Sequence, residues 1–461
     1  MNATPAQTDV AADVVVAGAG GAGLAAALAT GDAGLATVLL EARETFRDDS
    51  NTAMSTSMIP AAGTPAQAAA GVEDSPERFR DDIMKKTDGK ADPTVTDALL
   101  AAGPPLVEWL IERWRIPLEL STEFLYPGHT ALRCHTVHDR AGSTLHRFLM
   151  EALATLDDVL MACPARLVGV EVDEGRVVAA HVERPDGTSE RIVTPAVVLA
   201  TNGFGANAEL VSRHCPEIVE GLYFGGEGST GDALAIGETL GADTACLDAY
   251  QGHGSVAHPH GVLLTWGTVV QGAVLVNERG ERFADESPGY SELACAVLEQ
   301  PNKRAWMLYD TRIDAALRTF ADYQRCLEAD AVREAGDLEE LAQVIGCETE
   351  TLARTVAAAT AFATGAEADP FGRAAWEAPL AAPYRAVQVT GALFHTQGGL
   401  MVDAHAQVLA RGTPVQGLYA AGGAAVGISG HGAAGYLAGN GLLAALGLGY
   451  IAGMHVAASV R

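Results

Sequence analysis

The sequence predicts an α/β fold built on a Rossmann-like, largely parallel sheet, and three observations carry that prediction. Asp13 opens an apolar, β-branched run, VVVA, which passes through Gly18-Ala19-Gly20-Gly21-Ala22-Gly23 into LAAALAT: strand, glycine turn, small-residue helix. A second apolar strand, ATVLL, ends at Glu41. Two distant segments, RIVTPAVVLATNGFGAN and GTPVQGLYAAGG, again run from strand into small residues, so the chain comes back to its first domain near the C-terminus. A length of 461 residues allows two domains with cores of their own.

Each element has a physical reason. Gly18 permits the tight turn, Gly20 lets a pyrophosphate approach the backbone, and Gly23 lets the helix pack on the strand. The helix that starts beside Gly21 and Ala22 turns unpaired N–H groups and a positive dipole end toward the phosphates. Glu41, followed by Ala42, offers a carboxylate to the ribose hydroxyls of an adenosine. The segment therefore predicts a dinucleotide site. A single such fingerprint leaves no obvious place for a second, nicotinamide-binding domain.

Composition narrows the function classes. Thirty basic against 58 acidic side chains leave a formal charge of −28, which argues against nucleic acid or anionic lipid as a partner. Seven cysteines without a C-x-x-C pair argue for a reducing compartment, and the N-terminus lacks the basic and apolar regions of a secretory signal, so a cytoplasmic protein is expected. The stretch after Arg411 has no charged residue before Arg461, and GLLAALGLGYIAGMHVAA is long enough to raise the question of a membrane span. Its many glycines and the flanking Pro414, Gln416, His431 and Asn440 favour a buried wall against a ligand instead, and no integral membrane segment is expected. His253, His258 and His260 lack accompanying Cys or carboxylate spacing, so no metal is expected.

Taken together, DVVVAGAGGAGLAAALA, VVLATNGFGAN, STGDALAIGETLGA, VLVNERGERFADES, ALFHTQGGLMVD, GLYAAGG and GYLAGNGLLAALGLGYIAG resemble, in order, the fumarate reductase and succinate dehydrogenase flavoprotein superfamily, which includes the 3-ketosteroid 1-dehydrogenases. The resemblance implies an FAD-binding domain from residues 1–245 and 384–461, interrupted by an α+β capping domain at 246–383. Residues 310–370 fit that cap as amphipathic helices. It further implies FAD contacts from Ser50, Asn51, Thr52 and Ala53 in the loop on the isoalloxazine, from Thr201 and Gly203, from Asp232, and from Gly422 and Gly423. Gly423 stands where the superfamily commonly has Glu. Asn440, Gly441, Leu442 and Leu443 would open the last helix toward the flavin. That isoalloxazine loop has no histidine, so non-covalent FAD is expected.

The same resemblance singles out catalytic candidates. Fumarate reductases deliver a proton through an arginine after the RF-x-x-E motif, fed by an upstream Glu and Arg. In this chain GERFADESPGYSE places Tyr290 at the arginine's position, and Trp266 and Val269 replace the upstream pair. ESPGY is similar to a run in the ketosteroid enzymes whose tyrosine removes a proton. Tyr436 and Gly441 are similar to the pair that holds the ketone oxygen there, although aligning both requires a one-residue insertion. His253 and His395 fall where fumarate reductases hold a carboxylate; lining the cap and hydrogen-bonding within the flavin site is the alternative. Tyr126 is a second hydroxyl for a proton relay or an ordinary loop tyrosine, and Arg133, with His135, is either a carboxylate receiver or a structural arginine. The implied reaction is FAD-dependent desaturation α,β to the carbonyl of a cyclic ketone, a steroid or a smaller oxocyclohexane or oxocyclohexene carboxylate, with Tyr290 taking the proton and flavin N5 the hydride. The alternative is reduction of an activated alkene, an enone or unsaturated carboxylate, with Tyr290 as acid. The electron acceptor, whether quinone, electron-transfer protein or oxygen, leaves no mark in the sequence.

Overall fold

The computed structural model describes residues 10–123 and 125–460; residues 1–9, part of the N-terminus read above for a signal, lie outside them. The chain divides into two units, one of Met1–Cys215, Gly225–Tyr250 and His395–Arg461, the other of Pro216–Phe224 and Gln251–Phe394. The second unit runs to Phe394 where the sequence reading ends the inserted domain at 383. The reason is pairing: Tyr384–Thr390 lies antiparallel against Arg304–Asp310 and so belongs to that unit's sheet.

The first unit is organised by a ten-stranded sheet. Its heart is five neighbouring parallel strands, Thr413–Ala420, Val197–Leu199, Val14–Ala17, Thr37–Leu40 and Val159–Ala162. Every residue of Val14–Ala17, Thr37–Leu40 and Val197–Leu199 is buried, which explains their unbroken apolar runs. The register matters most. Ala17 sits opposite Leu40 and Leu199, and Leu199 opposite Ala420, so the strands end in line. Gly18, Glu41, Thr201 and Gly422, far apart in sequence, follow directly on those ends and meet along one edge of the sheet, where such folds bind ligands.

The helix Gly21–Asp32 follows the first turn, and the last helix, Asn440–Ser459, packs on it. A Cβ at Gly449 would lie 2.2 Å from the Ala22 carbonyl oxygen, and one at Gly447 2.5 Å from Leu99 in the helix Pro93–Glu112. Among the described residues Asn440–Ser459 is the one helix long and apolar enough to cross a membrane. Leu443, Leu446 and Leu448 on it are fully buried against protein, while Met454 is exposed.

The second unit holds a mostly antiparallel sheet of seven strands with helices around it. One sequence expectation changes. VREA, read as part of a helical stretch, is the strand Val332–Ala335, paired with Tyr384–Val387. Asp330 adopts φ 53, which stops the helix Ala321–Glu328 from continuing, and the free backbone of Tyr384–Val387 supplies hydrogen bonds that a helix would not.

Candidate active site

In the first unit, the edge where the strands end is shaped for a phosphate backbone. Gly18 has φ 106, and a Cβ there would strike the Ala200 carbonyl oxygen at 2.3 Å, so no other residue turns the chain at this point. The Gly21 N–H donates to Thr52 Oγ1 at 2.8 Å, which brings the loop around Ser50–Ala53 against the start of the first helix. Ser50 caps the short helix Asn51–Met54 by accepting from the Ala53 N–H. Glu41 accepts from the N–H groups of Ala19 and Arg43, at 2.9 and 2.8 Å, and braces the glycine loop; burial nevertheless lifts its pKa. His146, missed in the sequence, braces the other side of that loop through Nε2 and the Ala19 carbonyl at 2.8 Å. A Cβ at Gly423 would sit 2.4 Å from Asn202 Oδ1, and one at Gly203 2.0 Å from Thr396 Oγ1, so the two returning segments meet where only glycine fits.

Three hydrogen-bond donors converge at the start of the last helix. The rings of His395 and Tyr436 meet edge to face at 5.7 Å. The Gly441 N–H donates to the Tyr436 hydroxyl at 3.5 Å, so the structure brings together the pair whose sequence alignment needed an insertion. A Cβ at Gly441 would sit 2.9 Å from His395 Nε2, which makes glycine a condition of the arrangement. Burial pushes the His395 pKa down to about 4, so the ring is neutral at pH 7, and burial raises that of Tyr436, which stays a phenol. Behind His395 stands a hydrogen-bonded row also missed in the sequence. Gln397 Nε2 is 2.7 Å from His395 Nδ1, Ser429 Oγ donates to Gln397 Oε1 at 3.1 Å, and Asn440 Nδ2 reaches Ser429 Oγ at 3.5 Å.

Two expected ligand contacts are spent on protein instead. Arg133 is fully buried and donates to both oxygens of Asp74 at 2.9 Å and to Asp82 at 2.6 Å, over the ring of Phe79. A guanidinium so neutralised does not receive a substrate carboxylate. Its remaining contact runs to His129 Nδ1 at 3.2 Å, and His129 Nε2 lies 3.0 Å from the Ala438 carbonyl. Arginine only donates and a carbonyl only accepts, so His129 is the neutral Nε2–H tautomer. Burial, which pushes its pKa down to about 4, agrees. Arg133 thereby props the turn that carries Tyr436. His135 binds Thr64. Asp232 forms a bidentate ion pair with Arg166 and accepts from Thr230, heading the helix Asp232–Leu240. Tyr126 lies half-buried in a loop, its carbonyl accepting from the His129 N–H.

In the second unit, Tyr290 opens the helix Tyr290–Leu298 and is buried among rings. His253 stacks on it at 4.8 Å with an interplanar angle of 10°, Phe394 stacks on the imidazole at 5.2 Å, and Trp266 meets Tyr290 at 5.5 Å and 75°. Burial pushes the His253 pKa down to about 3. The strand bearing His253 is tied to the tyrosine's helix, since the Gly252 N–H donates to Ser291 Oγ at 2.9 Å. The loop before Tyr290 is held by the RF-x-x-E motif. Arg282 pairs with Glu286 and Asp369 at 2.7 and 2.9 Å, Arg373 reaches Glu286 at 3.2 Å and the carbonyls of Val269 and Ala273, and all four side chains are buried. Glu286 also accepts from the Leu275 N–H, tying the loop to the sheet.

The profile of a family described as FAD binding domain matches residues 13–442. The chain belongs to this FAD-binding family. It is 30% identical to a probable fumarate reductase of Shewanella frigidimarina over 96% of this chain and 74% of the relative. It is 28% identical to an NADH:fumarate oxidoreductase of Klebsiella pneumoniae over 91% of this chain, and spans 45% of that relative's length. Among solved structures, a 3-ketosteroid-Δ4-(5α)-dehydrogenase from Rhodococcus jostii RHA1, in complex with 4-androstene-3,17-dione, is similar with a TM-score of 0.77 and 26% identity over 98% of both chains. These findings make the protein an FAD-dependent oxidoreductase acting on CH–CH groups of the fumarate reductase and succinate dehydrogenase superfamily. The residues present fit the FAD. Asn51 Nδ2, Thr201 Oγ1 and Asn440 Oδ1 are buried polar atoms with no protein partner, each on a segment beside the glycine edge, as a bound polar group would require. A Cβ at Gly20 would meet nothing nearer than Thr52 Oγ1 at 3.8 Å, which leaves that face of the loop open to phosphate. Among the described residues no group of three or more metal-ligating side chains could hold a metal ion.

Proposed function

We propose that this chain is a flavin-dependent reductase of an alkene conjugated to an uncharged carbonyl, an enone, and that His395, Tyr436 and Gly441 hold the carbonyl oxygen. The observation that carries the reading is that convergence: a neutral imidazole, a phenol and a helix-terminal N–H meet within a few ångströms, with Arg133 withdrawn into its own ion pairs. Such donors suit the partial charge of an enolate oxygen better than a full carboxylate. FAD, when bound, supplies the two-electron exchange at the β carbon. Tyr290, by its place after the RF-x-x-E motif, is the candidate proton carrier. The ring against it, His253, is kept neutral by burial. The reductase activities of the relatives support reduction as the working direction. Electrons reach the flavin from a carrier that the chain's single dinucleotide fingerprint does not provide.

A second reading, desaturation of a cyclic ketone by the same groups run backwards, is favoured by the likeness to the ketosteroid dehydrogenase over nearly the whole of both chains. The test is anaerobic: chemically reduced holoenzyme is mixed with cyclohexenone, fumarate or urocanate, and oxidised holoenzyme with cyclohexanone or a 3-ketosteroid, following flavin absorbance. Reoxidation by the enone, faster than by either acid, is expected. Reoxidation by fumarate alone would overturn the uncharged-carbonyl reading, and bleaching by a ketone without reoxidation by the enone would establish the second. In Tyr290→Phe, FAD is expected to stay bound while turnover falls about a hundredfold or more, the share general acid catalysis commonly supplies; unchanged turnover would take Tyr290 out of the chemistry.

A further inference from the structure

We propose that Gln397 is a positioning residue that locks His395 in the Nε2–H tautomer, so that the histidine always presents a donor to the substrate carbonyl. The inference rests on the reading above, in which His395 donates to that oxygen. A neutral imidazole is donor at one nitrogen and acceptor at the other, and which is which depends on its partners. Here the partner is an amide, itself able to donate or accept, so the order is set one step further back.

Ser429 is buried and donates its hydroxyl proton to Gln397 Oε1 at 3.1 Å, while Asn440 Nδ2 occupies the serine oxygen from the other side at 3.5 Å. With its oxygen engaged by Ser429, the Gln397 amide turns its NH2 toward His395 Nδ1, 2.7 Å away. Nδ1 accepts, and the proton sits on Nε2, the nitrogen beside Gly441. The backbone of Gln397 is pinned as well: its N–H donates to the Ala249 carbonyl at 2.7 Å and its carbonyl accepts from the Gly427 N–H at 2.8 Å. The row ends on Asn440, whose Oδ1 has no protein partner and whose residue opens the last helix. Both ends of the row thus lie at the donor cluster.

The experiment is long-range 15N–1H correlation of the histidine side chains in labelled holoenzyme, with the His395 signals identified by their loss in His395→Gln. Wild type is expected to show His395 with a protonated Nε2 and a bare Nδ1. Gln397→Met, which keeps the bulk and removes the amide, is expected to show a mixture of tautomers. Gln397→Glu, whose carboxylate can only accept, is expected to draw the proton to Nδ1. Enone reduction should fall about tenfold or more in kcat in both variants, with KM changed less, as for loss of a transition-state donor. A protonated Nδ1 in wild type overturns the proposal whatever reaction the enzyme performs. Unchanged kcat in Gln397→Glu, with the tautomer switched, overturns its catalytic importance while leaving the enone reading intact. If wild type reduces no enone, the failure belongs to that reading, and the tautomers of the three proteins still judge the lock.

Discussion

Arg133 shows how much a single side chain's partners can change its meaning. In the sequence it stands as an isolated cation beside His135, a candidate for a substrate carboxylate. In the fold it lies between Asp74 and Asp82, 59 and 51 residues away, with His129 carrying the contact on to the Ala438 carbonyl. Removing one member of a buried ion cluster strands the others, so Arg133→Ala is expected to cost on the order of 3–5 kcal/mol and to lower the thermal midpoint sharply. Substrate preference in whatever folded enzyme remains should be unchanged. A stable variant with altered preference between charged and neutral substrates would return Arg133 to the substrate. Tyr290 is the opposite case: its position after RF-x-x-E is visible in the chain, and the structure adds the rings of His253 and Trp266 that set its surroundings.

Two elements, one in each unit, carry candidate residues, and each can be broken without touching those residues. The loop before Tyr290 is fixed by Arg282, Glu286, Asp369 and Arg373, buried together. Glu286→Gln leaves two buried guanidinium groups with one carboxylate fewer and turns an amide NH2, which cannot accept, toward them. Turnover and thermal midpoint should both fall while the flavin content holds, because the FAD edge belongs to the other unit. Full turnover in that variant would mean that the network does not place the tyrosine. The last helix is the second element. Composition alone left a membrane span as a competing reading, because apolarity and length do not say what the side chains touch. Packing at Gly449 against the Ala22 carbonyl does say it. Gly449→Leu is expected to displace the first helix and with it the glycine loop, measured as loss of bound FAD and a lower thermal midpoint. Retention of both would show that this face of the helix is not packed as described.

Across the molecule, histidines withdrawn from water make stability depend on pH, and His129, His253 and His395 carry large shifts among them. Burial holds His129 and His395 at about 4 and His253 at about 3, against an ordinary value of about 6.5. Between these values the unfolded chain binds protons that the folded chain refuses, so unfolding free energy rises with pH there. The contribution is fully present above about pH 6.5 and is lost as the pH falls toward 4. Denaturant titrations at pH 7 and pH 5 should therefore show a stability loss on acidification that is smaller in His395→Gln and in His253→Gln than in wild type. An identical loss in all three proteins would mean that these rings are not buried in neutral form.

The Rossmann-like strand and the glycine turn are legible from the chain alone because their chemistry is local: a phosphate cradle needs particular residues at fixed short spacings. The same holds for Tyr290, tied to a motif four residues before it. What the chain could not show is which polar groups are already satisfied. Asp232 looks like a cofactor ligand until Arg166 is seen to hold it, and VREA reads as helix until Tyr384–Val387 offers it a ladder. Gln397 reads as an ordinary residue of HTQGG until Ser429 and Asn440 line up behind it. Local geometry is written in neighbouring residues, whereas the partner of a buried polar group is chosen by the fold, from residues tens or hundreds of positions away.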